Sequence, residues 1–418
     1  MRRYLLLCLL ALLTLGGCRG RAADAALDTD ALAALVDSLV PHVEKAVGFS
    51  FTSQPKFAIR TKAEVQTFLL AKLDQEMPES RTEGIEAAYR LLELIPDTLR
   101  IRDALLPLYA EQVAGYYDPD STTLYAVEGA KSDQLRLVLA HELVHALQHE
   151  QLPLDRLLKH SANSDRLAAV QAVLEGHATL AMLGVMLAGQ ADAAGGVDGL
   201  LANPGFWQQY REQVRASQSS MPVFRAAPLV LREGLIFPYL GGAEFMRWWS
   251  GQPGKGSLPT LEQLPQSTEQ VLHPIKYLNR DQPVTVAFAD SAASPTAPGG
   301  VMHEDTMGEL ELQIWAAELR GGGEVLDHLP MGWGGDRFRV YRSAAGPALV
   351  LYSVWDDSTS ARRFATLTGD RFAERARYGY RTEVTRLELD GRPGVRIVRA
   401  PTGWSRWDSI PSARATLP

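Results

Sequence analysis

Residues 132–149 read Ser-Asp-Gln-Leu-Arg-Leu-Val-Leu-Ala-His-Glu-Leu-Val-His-Ala-Leu-Gln-His, an apolar-periodic stretch opened by a capping residue, Ser132 or Asp133, and stopped before Pro153. The pattern predicts a helix. At its centre stands His141-Glu142-Leu143-Val144-His145, a His-Glu-x-x-His motif. Residues four apart on a helix differ by about 40° in direction and about 6 Å along the axis, so both imidazoles share a face and can grip one ion. Glu142, about 100° further round, is placed to reach a water on that ion rather than the ion itself. The flanking Leu139, Ala140, Leu143, Val144, Ala146 and Leu147 predict a mostly buried helix. A buried histidine lacking a metal or polar partner is costly, so the motif points to a metal.

A catalytic zinc takes three protein ligands and keeps one position open. His149 continues the stripe but lies about 12 Å along the axis from His141, too far to share one ion. The pattern with a third His six residues after the second is excluded, because Gln151 stands there and Gln148 replaces its glycine. The next long helical pattern, from about Ser164 to Gly189, contains Val173-Leu174-Glu175-Gly176-His177-Ala178. Glu175 and His177 both carry ligand atoms, yet they point about 200° apart, so only one can face the ion.

This arrangement resembles the gluzincins, the thermolysin-like clan of zinc peptidases, in which a Glu on the following helix completes a His, His, Glu set. The resemblance runs from about Gln112 to Gly189 and favours Glu175, with Gly176 and Ala178 small enough to let two helices approach. It departs from the pattern at Thr179, where an Asp would stand, which leaves the partner of a ligating His unassigned. It implies a zinc endopeptidase holding one Zn2+ per chain on His141, His145 and Glu175, with Glu142 as general base and a peptide or unfolded protein as substrate. Tyr239, His273 and Tyr277 are the candidates to stabilise the oxyanion. The implied fold is α+β: a mainly helical zincin-like domain with a small sheet and an edge hairpin, in which the Thr122–Val127 arm stands where zincins bind substrate by strand addition. The competing reading is a metal-binding lipoprotein that acts as a chaperone or assembly factor without catalysis.

Upstream, Met1-Arg2-Arg3 and the apolar run Tyr4–Leu15 have the form of an export signal, too short for the roughly 20 residues that span a bilayer. The run ends in Leu15-Gly16-Gly17-Cys18, which resembles the lipobox of bacterial lipoproteins. That resemblance implies a signal peptide over residues 1–17, a lipid on Cys18, a tether over 18–27, and a cell-envelope location, favouring the outer membrane facing the periplasm or the cell surface. The two cysteines, Cys8 and Cys18, leave no disulfide after cleavage.

At 418 residues, with 46% hydrophobic and 22% charged content, the chain has enough apolar material for packed cores. A net charge of -7 without a Lys/Arg run argues against nucleic acid. Other expected elements are helices near 28–46 (bent at Pro41), 62–75, 82–94 and 101–109, a strand at 57–60, and helical segments from Leu229 to Trp249 interrupted at Pro238 and Gly241-Gly242. The stretch Ala292–Gly300, rich in Ser, Pro, Ala and Gly, divides a metallopeptidase domain at 28–290 from a smaller C-terminal α+β lobe at 305–418, with a linker over 291–304. Within that lobe the pattern predicts two helices, two strands and a closing hairpin turning at Asp390-Gly391.

Overall fold

The computed structural model describes residues 28–154, 161, 163–188, 196–290, 299–322, 325 and 332–417. The expected signal peptide, Cys18 and tether lie outside the described residues, as do positions 291–298 of the expected linker.

Asp28 caps helix α1 (Thr29–Val47) by accepting the Ala31 amide at 2.8 Å, and Gly48, at a φ of 74°, ends it. Strand β1 (Lys56–Arg60) follows, then α2 (Lys62–Glu76), opened by a Thr61/Glu64 capping box, α3 (Glu79–Leu91) and α4 (Ile101–Gln112). Strands β2 (Gly115–Asp118) and β3 (Thr123–Val127) form the expected hairpin, but β3 also pairs in parallel with β1, so the strand order is β1-β3-β2. The arm expected at the sheet edge is therefore its central strand. Both of its hydrogen-bonding sides are taken, which removes it as a site for strand addition.

The motif helix α5 (Ser132–Gln151) and α6 (Ser164–Leu187) come next, α6 capped by the Asn163 side chain on the Arg166 amide. Three helices that local patterning did not announce, α7 (Gly196–Ala202), α8 (Pro204–Ser219) and α9 (Pro222–Ala226), lead into α10 (Leu229–Ser250). Helix α10 runs unbroken through Pro238 and both glycines. The reason is packing: a Cβ on Gly242 would lie 2.0 Å from the Ala172 carbonyl oxygen of α6, and one on Gly176 would lie 2.1 Å from the Gly242 carbonyl carbon. The two helices touch backbone to backbone. That contact offsets the hydrogen bond lost at Pro238. By length and composition α6 is apolar enough to cross a membrane, but 72% of its most apolar window is buried inside the protein, and it packs on α1, α5 and α10 as a core helix.

After α11 (Thr268–Leu272), α12 (Pro274–Leu278) and β4 (Thr285–Phe288) come β5 (Val301–Asp305), α13 (Gly308–Leu319), β6 (Trp333–Tyr341), β7 (Ala348–Trp355), α14 (Ser358–Glu374), β8 (Tyr380–Leu389), β9 (Arg392–Pro401) and β10 (Ala413–Thr416). The last long sheet is antiparallel in the order β5-β6-β7-β9-β8. Its β8–β9 turn puts Asp390 and Gly391 at φ 47° and 81°, the conformation a two-residue hairpin loop requires. Positions 301–304, expected in the linker, belong to edge strand β5, and β4 pairs with β10 across the expected boundary.

The chain is thus α+β, and its largest core is continuous: Leu143 and Leu174 belong to the same apolar cluster as Trp315, Leu351 and Ile397. Polar contacts reinforce it. The Trp315 indole donates to the Leu92 carbonyl at 2.7 Å, and buried Arg399 donates to the Leu91 carbonyl at 3.1 Å and pairs with Glu93 at 2.7 Å.

Candidate metal centre

Helix α5 is wedged between β2, α1 and α6, and this buries its motif: His141 and Glu142 are fully inaccessible and His145 is 3% exposed. From α6, Glu175 reaches the same point. The His141 and His145 Nε2 atoms are 3.0 Å apart, and Glu175 Oε2 lies 3.1 Å from the first and 3.3 Å from the second. Among the described residues this is the one group of three or more His, Cys, Asp or Glu side chains whose ligand atoms converge.

The donor set fits zinc. Ligand atoms about 2.0–2.2 Å from a tetrahedral ion stand roughly 3.3–3.5 Å from one another, close to the separations seen here, and two imidazole nitrogens with one carboxylate oxygen form a recognised catalytic set. Without an ion, two nitrogen lone pairs and an anionic oxygen would face each other in a buried space. The charge balance responds accordingly. Burial opposes a proton on His145, but the Glu175 and Glu142 carboxylates outweigh it and raise its pKa. Burial would also raise the pKa of Glu175, yet His145 and His141 pull it down. A proton on His145 thus gives the three donors the positive charge that a bound cation would otherwise supply.

The surrounding groups orient the converging donors. Gln148, one turn beyond His145, accepts from His145 Nδ1 at 2.8 Å and donates its amide to the Leu174 carbonyl at 2.9 Å and to His177 Nδ1 at 3.1 Å. Because its carbonyl oxygen can only accept, His145 must carry its hydrogen on Nδ1, which frees Nε2 for a metal. His177 Nδ1 lies 3.1 Å from the Gln148 amide and is not one of the three converging donors, and the side chain that orients His145 is Gln148, three residues along the same helix, not a residue near Thr179. Gly176 does bring two helices together, but its contact is with Gly242 of α10 and not with α5.

Glu142 is held by the sheet. The Tyr117 amide on β2 donates to its Oε2 at 2.8 Å. That bond uses an outward-facing N–H of β2, and a Cβ on Gly115 would meet the Val138 side chain at 2.9 Å, so α5 covers this edge of the sheet. His149, outside the converging group, bonds the Tyr117 hydroxyl at 2.8 Å.

Of the three candidate oxyanion donors, only Tyr239 is near the centre. Its ring lies 5.9 Å from that of His141, tilted by 35°. Tyr277 donates its hydroxyl to the Gln263 carbonyl at 2.7 Å within a cluster of Phe245, Trp248 and Trp249, and His273 pairs with Glu309 at 3.0 Å. Their partners are none of the three converging donors. A cleft of about 260 Å3 is lined by Glu175 and Tyr239 together with Tyr89, Tyr109, Leu231 and Glu311. Two larger depressions, of about 610 and 630 Å3, are lined by none of the three donor residues, so position rather than size marks the relevant cleft.

Residues 297–405 match the family model described as Domain of unknown function (DUF8575). No curated protein and no solved structure matches the chain. The matched stretch spans β5 to β9 and holds none of the converging donors, but α13 within it supplies Glu311 to the cleft.

Proposed function

We propose that the chain is a zinc metallopeptidase of the gluzincin kind, cutting peptide bonds within a chain, with His141, His145 and Glu175 as ligands and Glu142 as general base. The observation that carries this reading is the meeting of the three donor atoms within 3.3 Å of one another in a buried site, beside the motif's Glu142, whose carboxylate accepts from the Tyr117 amide. Zinc bound there supplies a Lewis acid and a water whose pKa falls to about 7. Glu142 takes the proton from the attacking water and returns it to the nitrogen of the leaving amine. The Tyr117 amide fixes the carboxylate for both steps, and holding it rigid beside the ligands favours proton transfer over a wandering side chain. Tyr239 is the side chain best placed to donate to the developing oxyanion. Export and lipid attachment at Cys18 complete the proposal: a peptidase tethered in a bacterial envelope.

The test is cleavage of casein by the wild type and by Glu142→Gln. General-base catalysis contributes about 10²- to 10⁴-fold, so the variant should keep its zinc and lose activity by that factor. Full activity in the variant would end the proposal.

A further inference from the structure

The cleft beside the metal centre mixes apolar side chains with polar ones, Gln112, Gln171 and Glu311 among them. Leu105, Val230, Leu231 and Leu235 give it an apolar wall, and no Lys or Arg lines it. Among these walls stands Glu311, half-buried on α13. One of its carboxylate oxygens accepts from the Tyr89 hydroxyl at 2.7 Å, and the other has no hydrogen bond among the described residues. Burial, together with the carboxylates of Asp305, Asp336 and Asp165, pushes the Glu311 pKa up to about 8, against the opposing Tyr89 bond. The charges that act on it most, Asp305, Asp336 and Asp165, are all negative. At neutral pH Glu311 therefore holds a proton, and a cation entering through the cleft would displace that proton and pair with the carboxylate.

We propose that this cleft is the specificity pocket and that it takes a basic side chain of the substrate, lysine or arginine, whose methylenes lie along the apolar walls and whose cationic head pairs with Glu311. The inference rests on the peptidase reading and deepens it by naming the substrate class. A long aliphatic stem ending in a cation matches both features, because the stem covers apolar surface while the head keeps its polar partner. A free amino terminus carries the same charge but no stem for the walls. The proposal also gives the stretch matched at 297–405 a direct part in recognition, since α13 brings Glu311 to a site whose metal-binding donors all lie elsewhere.

The test uses peptides blocked at both ends that differ at one position, Lys, Arg, norleucine or Glu. Their binding to the full chain carrying Glu142→Gln is measured by calorimetry, so that no turnover is needed, and their cleavage by the wild type is measured alongside. Lys and Arg peptides should bind roughly 10- to 100-fold more tightly than the norleucine peptide, the range for a charge-assisted contact. Adding Glu311→Gln, which keeps an acceptor for Tyr89, should erase that preference while norleucine binding stays within about threefold; Glu311→Asp should retain part of it. No preference in the parent protein, a preference that survives Glu311→Gln, or a requirement for a free amino terminus would overturn the pocket. Casein cleavage without any basic preference would sink the pocket alone, whereas a Glu311-dependent preference without cleavage would sink the peptidase reading alone.

Discussion

Gly176→Ala tests how the third ligand is positioned. The added methyl would lie 2.1 Å from the Gly242 carbonyl carbon and 2.2 Å from its oxygen, where ordinary contact begins at 3.4 Å, so α6 and α10 must part by about 1.3 Å. Both opposing atoms are backbone and cannot rotate away, which puts the cost at the upper end of the roughly 1–3 kcal/mol typical of overpacking. Glu175 is the adjacent residue on α6, and its carboxylate now meets two imidazoles at 3.1 and 3.3 Å. A shift of an ångström is large against metal-ligand distances that tolerate about 0.2 Å. The variant should therefore lose stability in urea titrations and also bind zinc at least tenfold more weakly. Gly234→Ala is the control: it lies on α10 with nothing within 4 Å of the added atom, so the same substitution should gain about 0.5–1 kcal/mol from helix propensity. Unchanged stability and unchanged zinc affinity in Gly176→Ala would refute the backbone-contact account.

Gln148→Leu removes the acceptor that sets the His145 tautomer and should weaken zinc binding about 10- to 100-fold by competition with a chelator, with His145 losing its fixed Nδ1–H signal by NMR; undiminished affinity would show that Gln148 only fills space. Zinc binding near neutral pH should release protons, because His145 has a raised pKa in the metal-free protein and must be neutral to ligate, so calorimetric enthalpies should differ between buffers of different ionisation enthalpy; identical enthalpies would contradict the charge balance described for the centre. Buried Asp165 has its pKa pushed up to about 7 by burial and by Asp336 and Glu309, against hydrogen bonds from Thr268, so the folded state holds a proton that the unfolded chain gives up near pH 4. Its contribution is present at pH 4 and lost as pH rises through 7, and the wild type should lose stability relative to Asp165→Asn between pH 5 and 8, by on the order of 1 kcal/mol per pH unit; a difference that stayed flat or grew would contradict the sign.

Several helices were legible from local pattern: α1, α2, α5 and α6 form close to where the sequence places them, although α5 opens after Lys131 with no side-chain cap, where Ser132 or Asp133 was expected to supply one. The failures share a physical cause. Nothing near Pro238 or Gly242 says that a second helix will supply the contact that keeps α10 whole, and nothing in Thr123–Val127 says that a strand more than sixty residues earlier will pair with it. Short strands such as β4, β5 and β10 exist through their partners, so their own residues carry little signal. At the centre, the shared face of His141 and His145 was readable because helix geometry converts spacing into direction, whereas the convergence of Glu175 with them was suggested by resemblance and not by spacing. The Tyr117 amide was not, since a backbone N–H leaves no mark in a sequence. Gln148 could have been found from its place one turn after His145, as a lone amide on an apolar helix. Glu311 could not, because it reaches the cleft from 136 positions beyond Glu175.

The most direct test of the central claim is the metal content, by elemental mass spectrometry, of residues 19–418 purified without chelators, beside Glu142→Gln and Glu175→Ala. One zinc per chain in the wild type and in Glu142→Gln, with loss in Glu175→Ala, is the predicted result. No zinc in the wild type, or a full complement in Glu175→Ala, would contradict it.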